Sequence, residues 1–595
     1  MKNLKSFMNF RVVIFCFIYL VLSYIATGIF FQKHVVFEGN DVVFHLNRVL
    51  GLENIFNSPI NLQYYNGVAS QVNNFYGWLT IYPMYLLIKL FKNMALGYNL
   101  YLFLLTFATF LSMHFATFRI TKNNRIAFIG ALLYGFSTYR FIDIITRSAF
   151  GEGIGMTILP IVFLGVYLIL QNDKRGTLTF SFGLSLLLYT HVLTAFMALL
   201  FVLLVVFIFC INKKNDIVPV LMLFIRSGIL TFFLSLGQLV PLVLSSSYQK
   251  LSMPVIPSLS GSSFELGSHL LIKGFDNSLI SVTLGIIFTF LLVAMLFSFN
   301  KLDKFQQYCL LLGIFAFILS SKLFPWELFQ DSILKNIQFP WRFLGLATLF
   351  LSFSGSIYIY NFTEKLNKKN WGILCVSIVV ILFSFSSIIS SKQGLPHSSY
   401  SKFNSKDFSS LFYSGQVDYS PIHTEKDTKQ LLEKYITING EISNSNRKVS
   451  GNKQLYSFNS TDKSVVVLPV FKYQGLVITN NGHKIDYKKK KPLITFISVT
   501  GKNNIEISYK YPVSTKLGWL VSLVSFIIVV VHIIKQKLRI KKFFRHNRNF
   551  CIYFIFKIIS LGIISRFNFK KHSVSLAFFG ISNFIFIFFR FNLYL

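Results

Sequence analysis

Acidic residues are scarce in this sequence. Its 595 residues carry only 22 Asp and Glu against 58 Lys and Arg, a formal net charge of +36. Charged residues of both signs make up 13% of the chain and hydrophobic ones 53%, too little polarity for a soluble globule of this length. A basic excess of this size raises the question of nucleic acid. The Lys and Arg residues, however, fall in short clusters between long apolar runs, which is the distribution membrane topology demands, so nucleic acid is set aside as a partner. Cysteine is equally sparse. Cys16, Cys210, Cys309, Cys375 and Cys551 all lie in or beside apolar runs and none lies in the polar stretch 391–514. That placement argues against both a disulfide framework and a thiolate zinc site.

What the chain does have is repeated apolar segments. Spans are expected at 10–31, 98–118, 126–142, 152–170, 177–190, 192–211, 217–244, 278–298, 305–321, 342–361, 371–390 and 515–534. The first has basic flanks (Lys2, Lys5, Arg11) and no small-residue cleavage site, so it reads as an uncleaved span. The stretch 74–92 is long enough to cross but is rich in Tyr and Trp and interrupted by Gly77 and Pro83. Loop charge decides its reading. If 74–92 does not cross and the N-terminus is cytoplasmic, then Arg119/Lys122/Arg125, Lys174/Arg175, Lys213/Lys214, Lys301/Lys304, Lys365/Lys368/Lys369 and the basic run 535–548 all fall inside. Counting it as a span inverts every one of them. It is therefore expected to be an interfacial or re-entrant helix.

With that topology the outer face collects ionisable groups. Glu38, Asp41, His45 and Arg48 follow the first span, and the last three share one stripe of a helix at i, i+4 and i+7. Arg140, Asp143 and Arg147 form a second stripe, followed by Glu152 between two glycines. His191 marks a break between spans, and Arg342 closes the run Gln338-Phe339-Pro340-Trp341-Arg342. Each has a plain structural alternative: a solvated helix boundary, an ion-pair ladder, an interfacial histidine, a snorkelling arginine beside an aromatic anchor. Their shared side favours a site, because guanidinium groups bind phosphate oxygens bidentately and suit an anionic lipid headgroup.

Residues 391–514 form the sizeable polar segment, extracytoplasmic by the same parity. Short β-branched runs around 464–471, 475–479, 493–499 and 505–509, separated by Asn481-Gly482 and Gly501-Lys502-Asn503, predict a small antiparallel β-rich domain, a sandwich. The run Lys488–Lys491 reads as a solvated loop. The expected division is 1–390 transmembrane with the outer-face site, 391–514 β-rich, 515–548 a final span and basic cytoplasmic segment, and 549–595 an apolar Phe-rich tail. That tail reads either as two further spans or as sequence added beyond a natural end.

The order Glu-x-x-Asp-x-x-Phe-His-Leu-x-Arg, then Phe-Tyr-Gly…Tyr-Pro, then Tyr-Arg…Asp…Arg-Ser-Ala-Phe-Gly-Glu, Thr-His191, Gln-Phe-Pro-Trp-Arg342 and Leu-Pro-Val-Phe-Lys-Tyr-Gln-Gly resembles bacterial polytopic membrane proteins of the YfhO-like type. These include those labelled 6-pyruvoyl-tetrahydropterin-synthase-related. No zinc-binding His triad of a soluble pterin synthase is present. Their architecture is similar to GT-C glycosyltransferases, which implies a polytopic α-helical fold of about twelve or more spans. It also implies transfer of a sugar from a polyprenyl-phosphate carrier to a cell-envelope polymer or lipid on the outer face of a bacterial plasma membrane. The resemblance places Asp41 at the acceptor or metal, with His45 and Glu38 beside it. Arg48, Arg140, Asp143, Arg147, Glu152, His191 and Arg342 become the substrate or lipid-phosphate group. Many members have adjacent acids where this chain has Asn40-Asp41, which leaves a divalent metal open. The rival readings are a lipid-linked sugar transporter or flippase and a non-catalytic envelope scaffold.

Overall fold

The computed structural model describes residues 2–31, 35–37, 39–60, 69–212, 217–252, 254, 256–265, 279, 281–365, 369–394, 400–402, 418–450, 453–487 and 491–540. Glu38, Lys488–Lys490 and the tail 549–595 lie outside them. Helix α1 (Lys2–Thr27) leads through strand β1 (Val35–Phe37) into three short helices, α2 (Val42–Leu50), α3 (Val72–Phe75) and α4 (Tyr82–Phe91). The main bundle continues with α5 (Met94–Thr121), α6 (Asn124–Gly135), α7 (Thr138–Phe141), α8 (Phe150–Leu170), α9 (Arg175–Leu188), α10 (Val192–Asn212) and α11 (Ile217–Tyr248). A crossover leads to α12 (Ile286–Phe297), α13 (Lys304–Leu319), α14 (Leu344–Lys365) and α15 (Lys369–Gly394). Strand β2 (Tyr400–Lys402), α16 (Glu425–Glu433), the β domain and α17 (Val513–Ile540) complete the described chain.

This is a polytopic helical protein with a β domain. Among the described residues eight helices are long and apolar enough to cross a bilayer, or nine if the pair 124–135 and 138–146, bent by 46°, counts as one. Helices α4, α12 and α13 are shorter apolar ones. Every expected span coincides with a helix, but 126–142 is broken after Gly135, 278–298 is curtailed, and α9, α12 and α13 are short for a crossing. The stretch 177–190 is the 14-residue α9. For 278–298 the helix begins only at Ile286, because Gly285 stands at φ +86, outside helical geometry. The helical part of 74–92, the ten residues of α4, rises only about 15 Å, short of a hydrocarbon layer of about 30 Å.

The bundle has two ends. One holds Arg119, Lys122, Arg125, Lys174, Arg175, Lys301 and Lys304, with Arg119 and Lys122 beside Arg175 and Asp173, and Tyr167 beside Asp303; the other holds the described residues of 35–92, 137–150, 189–191, 249–285 and 320–343, and the β domain. The β domain pairs a four-stranded antiparallel sheet, β10-β7-β3-β4, with a five-stranded one, β5-β6-β11-β8-β9. These strands run Ile436–Ile438 (β3), Glu441–Ser443, Asn446–Ser450, Lys453–Ser460, Val465–Phe471, Leu476–Asn480, His483–Lys484, Leu493–Ile497 and Gly501–Tyr509 (β11) in chain order. Asn481 and Gly482, at φ +51 and +84, form the tight hairpin that an Asn-Gly pair favours. Gly501-Lys502-Asn503, expected as a turn, instead opens β11; Asn503 closes the preceding loop, accepting from Val499 N at 3.0 Å and donating to Val499 O at 2.8 Å.

The β domain is seated on the first loop. Ile60, Ala69 and Val72 belong to its hydrophobic core. Strand β1 pairs with β2, and Tyr511 donates to the Ile55 carbonyl at 2.5 Å.

Candidate functional site

The site is built around a wide helical turn. Residues 142–146 form a π-helix in which Arg147 N bonds Ile142 O at 2.8 Å, and Ala149 N then bonds Asp143 O at 2.8 Å. The extra residue in that turn breaks the stripe that a regular helix predicts for Arg140, Asp143 and Arg147. Asp143 and Arg147 stay together, Oδ1 to Nη1 at 2.7 Å. Arg140 turns into the bundle, fully buried, with Nη2 on Thr106 Oγ1 at 3.3 Å and Nη1 on Gly135 O at 3.4 Å. Of the other candidate groups it keeps an electrostatic interaction with Asp143.

The loop before α2 lies directly on this turn. Asn40 N donates to Thr146 O at 3.1 Å and Asp41 N to Arg147 O at 2.8 Å. Glycine at 39 is what permits the approach: a Cβ there would stand 2.6 Å from the Ile145 carbonyl and would overlap the Ser148 hydroxyl. Asp41 becomes the N-terminal cap position of α2, not a residue on its stripe. Its side chain accepts no capping hydrogen bond, so the helix terminus does not consume its oxygens. It is half-buried. Burial pushes its carboxyl up from the usual range, opposed by Arg147 and Arg342 and reinforced by Glu152.

Glu152, in the first turn of α8, is the hub. One oxygen accepts from the Tyr139 hydroxyl in a short hydrogen bond. The other faces Arg147 Nη1 at 3.1 Å and Arg342 Nε at 3.4 Å. Arg342 is held in turn by Ile337 O at 2.8 Å and Gln338 Oε1 at 3.0 Å, both through Nη1. Glu152, Thr194 and Arg342 share a small void of about 10 Å³, room for no more than one water, whose other walls include Met156, Met197 and Leu346 of α8, α10 and α14.

A second group meets on the far side of Glu152. Gly151 lets Tyr76 and His191 close on α8, since a Cβ would lie 2.7 Å from the Tyr76 ring and 2.9 Å from that of His191. Their two rings stack at 5.5 Å, and His45 meets Tyr76 and Phe150 edge-on. His191 Nδ1 and Thr194 Oγ1 lie 2.8 Å apart. Both histidines are held well below the ordinary imidazole range, first by burial. Arg48 and His191 add to this for His45, and Arg342, Arg147 and Arg48 for His191. Arg48 is buried and braces the loop: Nη2 donates to Gly77 O at 2.5 Å, Nε to Asn73 Oδ1 at 3.3 Å, and Nη1 lies 3.4 Å from His45 Nδ1.

The structure therefore brings together Asp41, Asp143, Arg147, Glu152 and Arg342, with His45, Arg48 and His191 alongside. Sequence reasoning missed Tyr139, Tyr76 and the pair Asp418–Tyr419. Tyr419 N donates to Ser252 O, beyond the end of α11, at 2.8 Å, its carbonyl accepts from Tyr473 OH of the β domain at 3.3 Å, and its ring stacks on Phe75 at 4.7 Å. Tyr139 and Tyr76 could have been suspected from their place in polar stretches. Nothing local marks Asp418 or Tyr419; Asp418 lies 76 residues beyond Arg342 and 266 beyond Glu152.

Among the described residues no group of three or more His, Cys, Asp or Glu side chains is arranged to hold a metal ion. Asp143 and Glu152, the two closest acids, already share the Arg147 guanidinium. No protein-family model and no curated protein matches this chain. Among solved structures, the cryo-EM structure of the arabinofuranosyltransferase AftD from Mycobacteria is similar, with a TM-score of 0.41 and 15% identity. The match covers 65% of this chain and 27% of that one, so the chain spans about a quarter of that protein's length.

Proposed function

We propose that this chain is a GT-C type membrane glycosyltransferase that moves a sugar from a polyprenyl-phosphate carrier to a cell-envelope acceptor on the outer face of a bacterial plasma membrane. The observation that carries the reading is the juxtaposition of Asp41, half-buried and free of any capping bond, with the Arg147 and Arg342 guanidinium groups that Glu152 holds together. The basic loops at the opposite end support the orientation, since positive loops stay cytoplasmic.

The residues suit a single displacement. Asp41 takes the proton of an acceptor hydroxyl, whose oxygen forms the new bond to the anomeric carbon. The bond from that carbon to the carrier phosphate breaks, and the phosphate leaves with the electron pair. Arg147 and Arg342 stabilise the charge it gains, in a site where burial strengthens each interaction. Glu152 positions both guanidinium groups, and Tyr139 and Asp143 fix Glu152 and Arg147. A raised carboxyl pKa makes Asp41 a stronger base near neutral pH than an exposed aspartate.

The test incubates purified protein with labelled undecaprenyl-phosphate sugars and envelope polymer or lipid. Asp41→Asn should lower transfer by roughly 10²–10⁴-fold with expression unchanged. Full activity in that variant would remove the assignment. Movement of the labelled lipid across proteoliposomes without transfer would select the flippase reading instead.

A further inference from the structure

Helices α12 and α13 are too short for the bilayer they stand in. Starting from the basic end, marked by Lys301 and Lys304, the 16 residues of α13 rise about 24 Å, against a hydrocarbon layer of about 30 Å. The 12 residues of α12 rise about 18 Å. The chain between α13 and α14 therefore begins below the level of the headgroups on the site's side.

That connection, 321–339, is built for such a place. Three 3-10 turns satisfy much of its backbone internally: Leu328 N bonds Pro325 O at 3.1 Å, Ser332 N bonds Phe329 O at 3.0 Å and Lys335 N bonds Ser332 O at 3.1 Å. Trp326 pins it to the bundle, buried, its indole donating to Leu319 O at 2.8 Å and its ring stacked on Phe343. Polar side chains tie it to the crossover loop. Glu327 accepts from Ser260 Oγ at 3.0 Å, Gln330 from Leu259 N at 2.8 Å, and Lys322 pairs with Glu265 at 2.9 Å. Alongside these ties stand exposed apolar side chains, Leu323 at 61%, Leu328 at 79% and Ile333 at 68%. Tyr308, Leu311 and Phe315, spaced on one face of α13, are exposed as well.

We propose that residues 321–339 form a wedge seated at the headgroup–acyl boundary of the site-side leaflet, with Leu323, Leu328 and Ile333 in the acyl layer and Glu327 and Lys322 toward water. Such a segment needs no other partner: its apolar side chains gain by burial in lipid, and its polar ones are already satisfied. It also sets the depth of the site, because Pro340 and Arg342 follow it directly. The inference does not depend on the reaction.

The test places a nitroxide at single cysteines, Leu328→Cys, Ile333→Cys, Asp331→Cys and Ile442→Cys, in full-length protein whose native cysteines are replaced. Each is reconstituted in phosphatidylglycerol–phosphatidylethanolamine vesicles. Labels at 328 and 333 should collide with oxygen several-fold more readily, relative to a water-soluble nickel chelate, than labels at 331 and at 442 on the β domain. Equal nickel access at all four positions would overturn the proposal. So would shielding of 328 and 333 from both oxygen and nickel, which would mark a protein partner or a second copy of the chain.

Discussion

At the residue scale the site depends on which charges are spoken for. Arg48 and Arg140 are consumed by carbonyls and side chains of the bundle, whereas Asp41 is left facing Arg147 and Arg342. Its raised carboxyl pKa has a direct signature. Transfer should increase as pH rises through that pKa and then level off, and the acid limb should be missing from any residual rate of Asp41→Asn. His45 and His191 act on stability with the opposite sign. The unfolded chain takes up their protons near pH 6.5, while the folded site refuses them until lower pH. Their contribution is complete above that value and is lost as pH falls toward the folded pKa, by up to ~1.4 kcal/mol per pH unit for each histidine. The apparent melting temperature of wild type should fall on acidification below pH ~6.5, and that slope should flatten in the double variant His45→Gln/His191→Gln. Tyr419 offers a third check, since it stands at φ +60. Tyr419→Ala should be less stable than Tyr419→Gly by about 1 kcal/mol in thermal unfolding, because both lose the Phe75 stack but only alanine keeps the strain.

At the element scale the π turn 142–146 and the loop at Gly39 act as one unit. The wide turn exposes the Thr146 and Arg147 carbonyls, and the loop donates to both, which places Asp41 beside Arg147. Gly39→Ala should cost about 1–3 kcal/mol by overpacking and lower transfer, read by thermal unfolding and the labelled-donor assay. Trimming Ser148 to glycine should not rescue it, since the Ile145 carbonyl remains in the way. The helix periodicity in the sequence rightly locates an ionisable segment at 140–147, yet it cannot register a π turn, because one extra residue per turn leaves no mark in the pattern. Asp41 is legible only in part: helical spacing sets it on one stripe with His45 and Arg48, whereas it stands at the cap position just before that helix.

At the scale of the whole molecule the two ends divide the labour. One carries basic loops and little else; the other carries the candidate site, capped by the β domain through Tyr419, Tyr511 and the β1–β2 pair. In intact cells, Ile442→Cys should react with an impermeant maleimide, and Lys304→Cys only after permeabilisation. The reverse pattern would invert the topology and move the site to the cytoplasm.

The sequence by itself determined the class of molecule, every helix that coincides with an expected span, the alternation of loop charge and the existence of a β domain. These follow from hydrophobic length, period and composition, which are local quantities. The tertiary structure alone decided which charges meet. Arg140 is hydrogen-bonded to Thr106 and Gly135 and meets the group only through Asp143, and Glu152 becomes the hub because Arg147 and Arg342, nearly 200 residues apart, both reach it. Asp418 and Tyr419 join from the segment between α15 and the β domain. Hydrogen bonds and ion pairs between distant segments depend on packing angles that no stretch of sequence encodes on its own, and those angles make the cluster around Asp41.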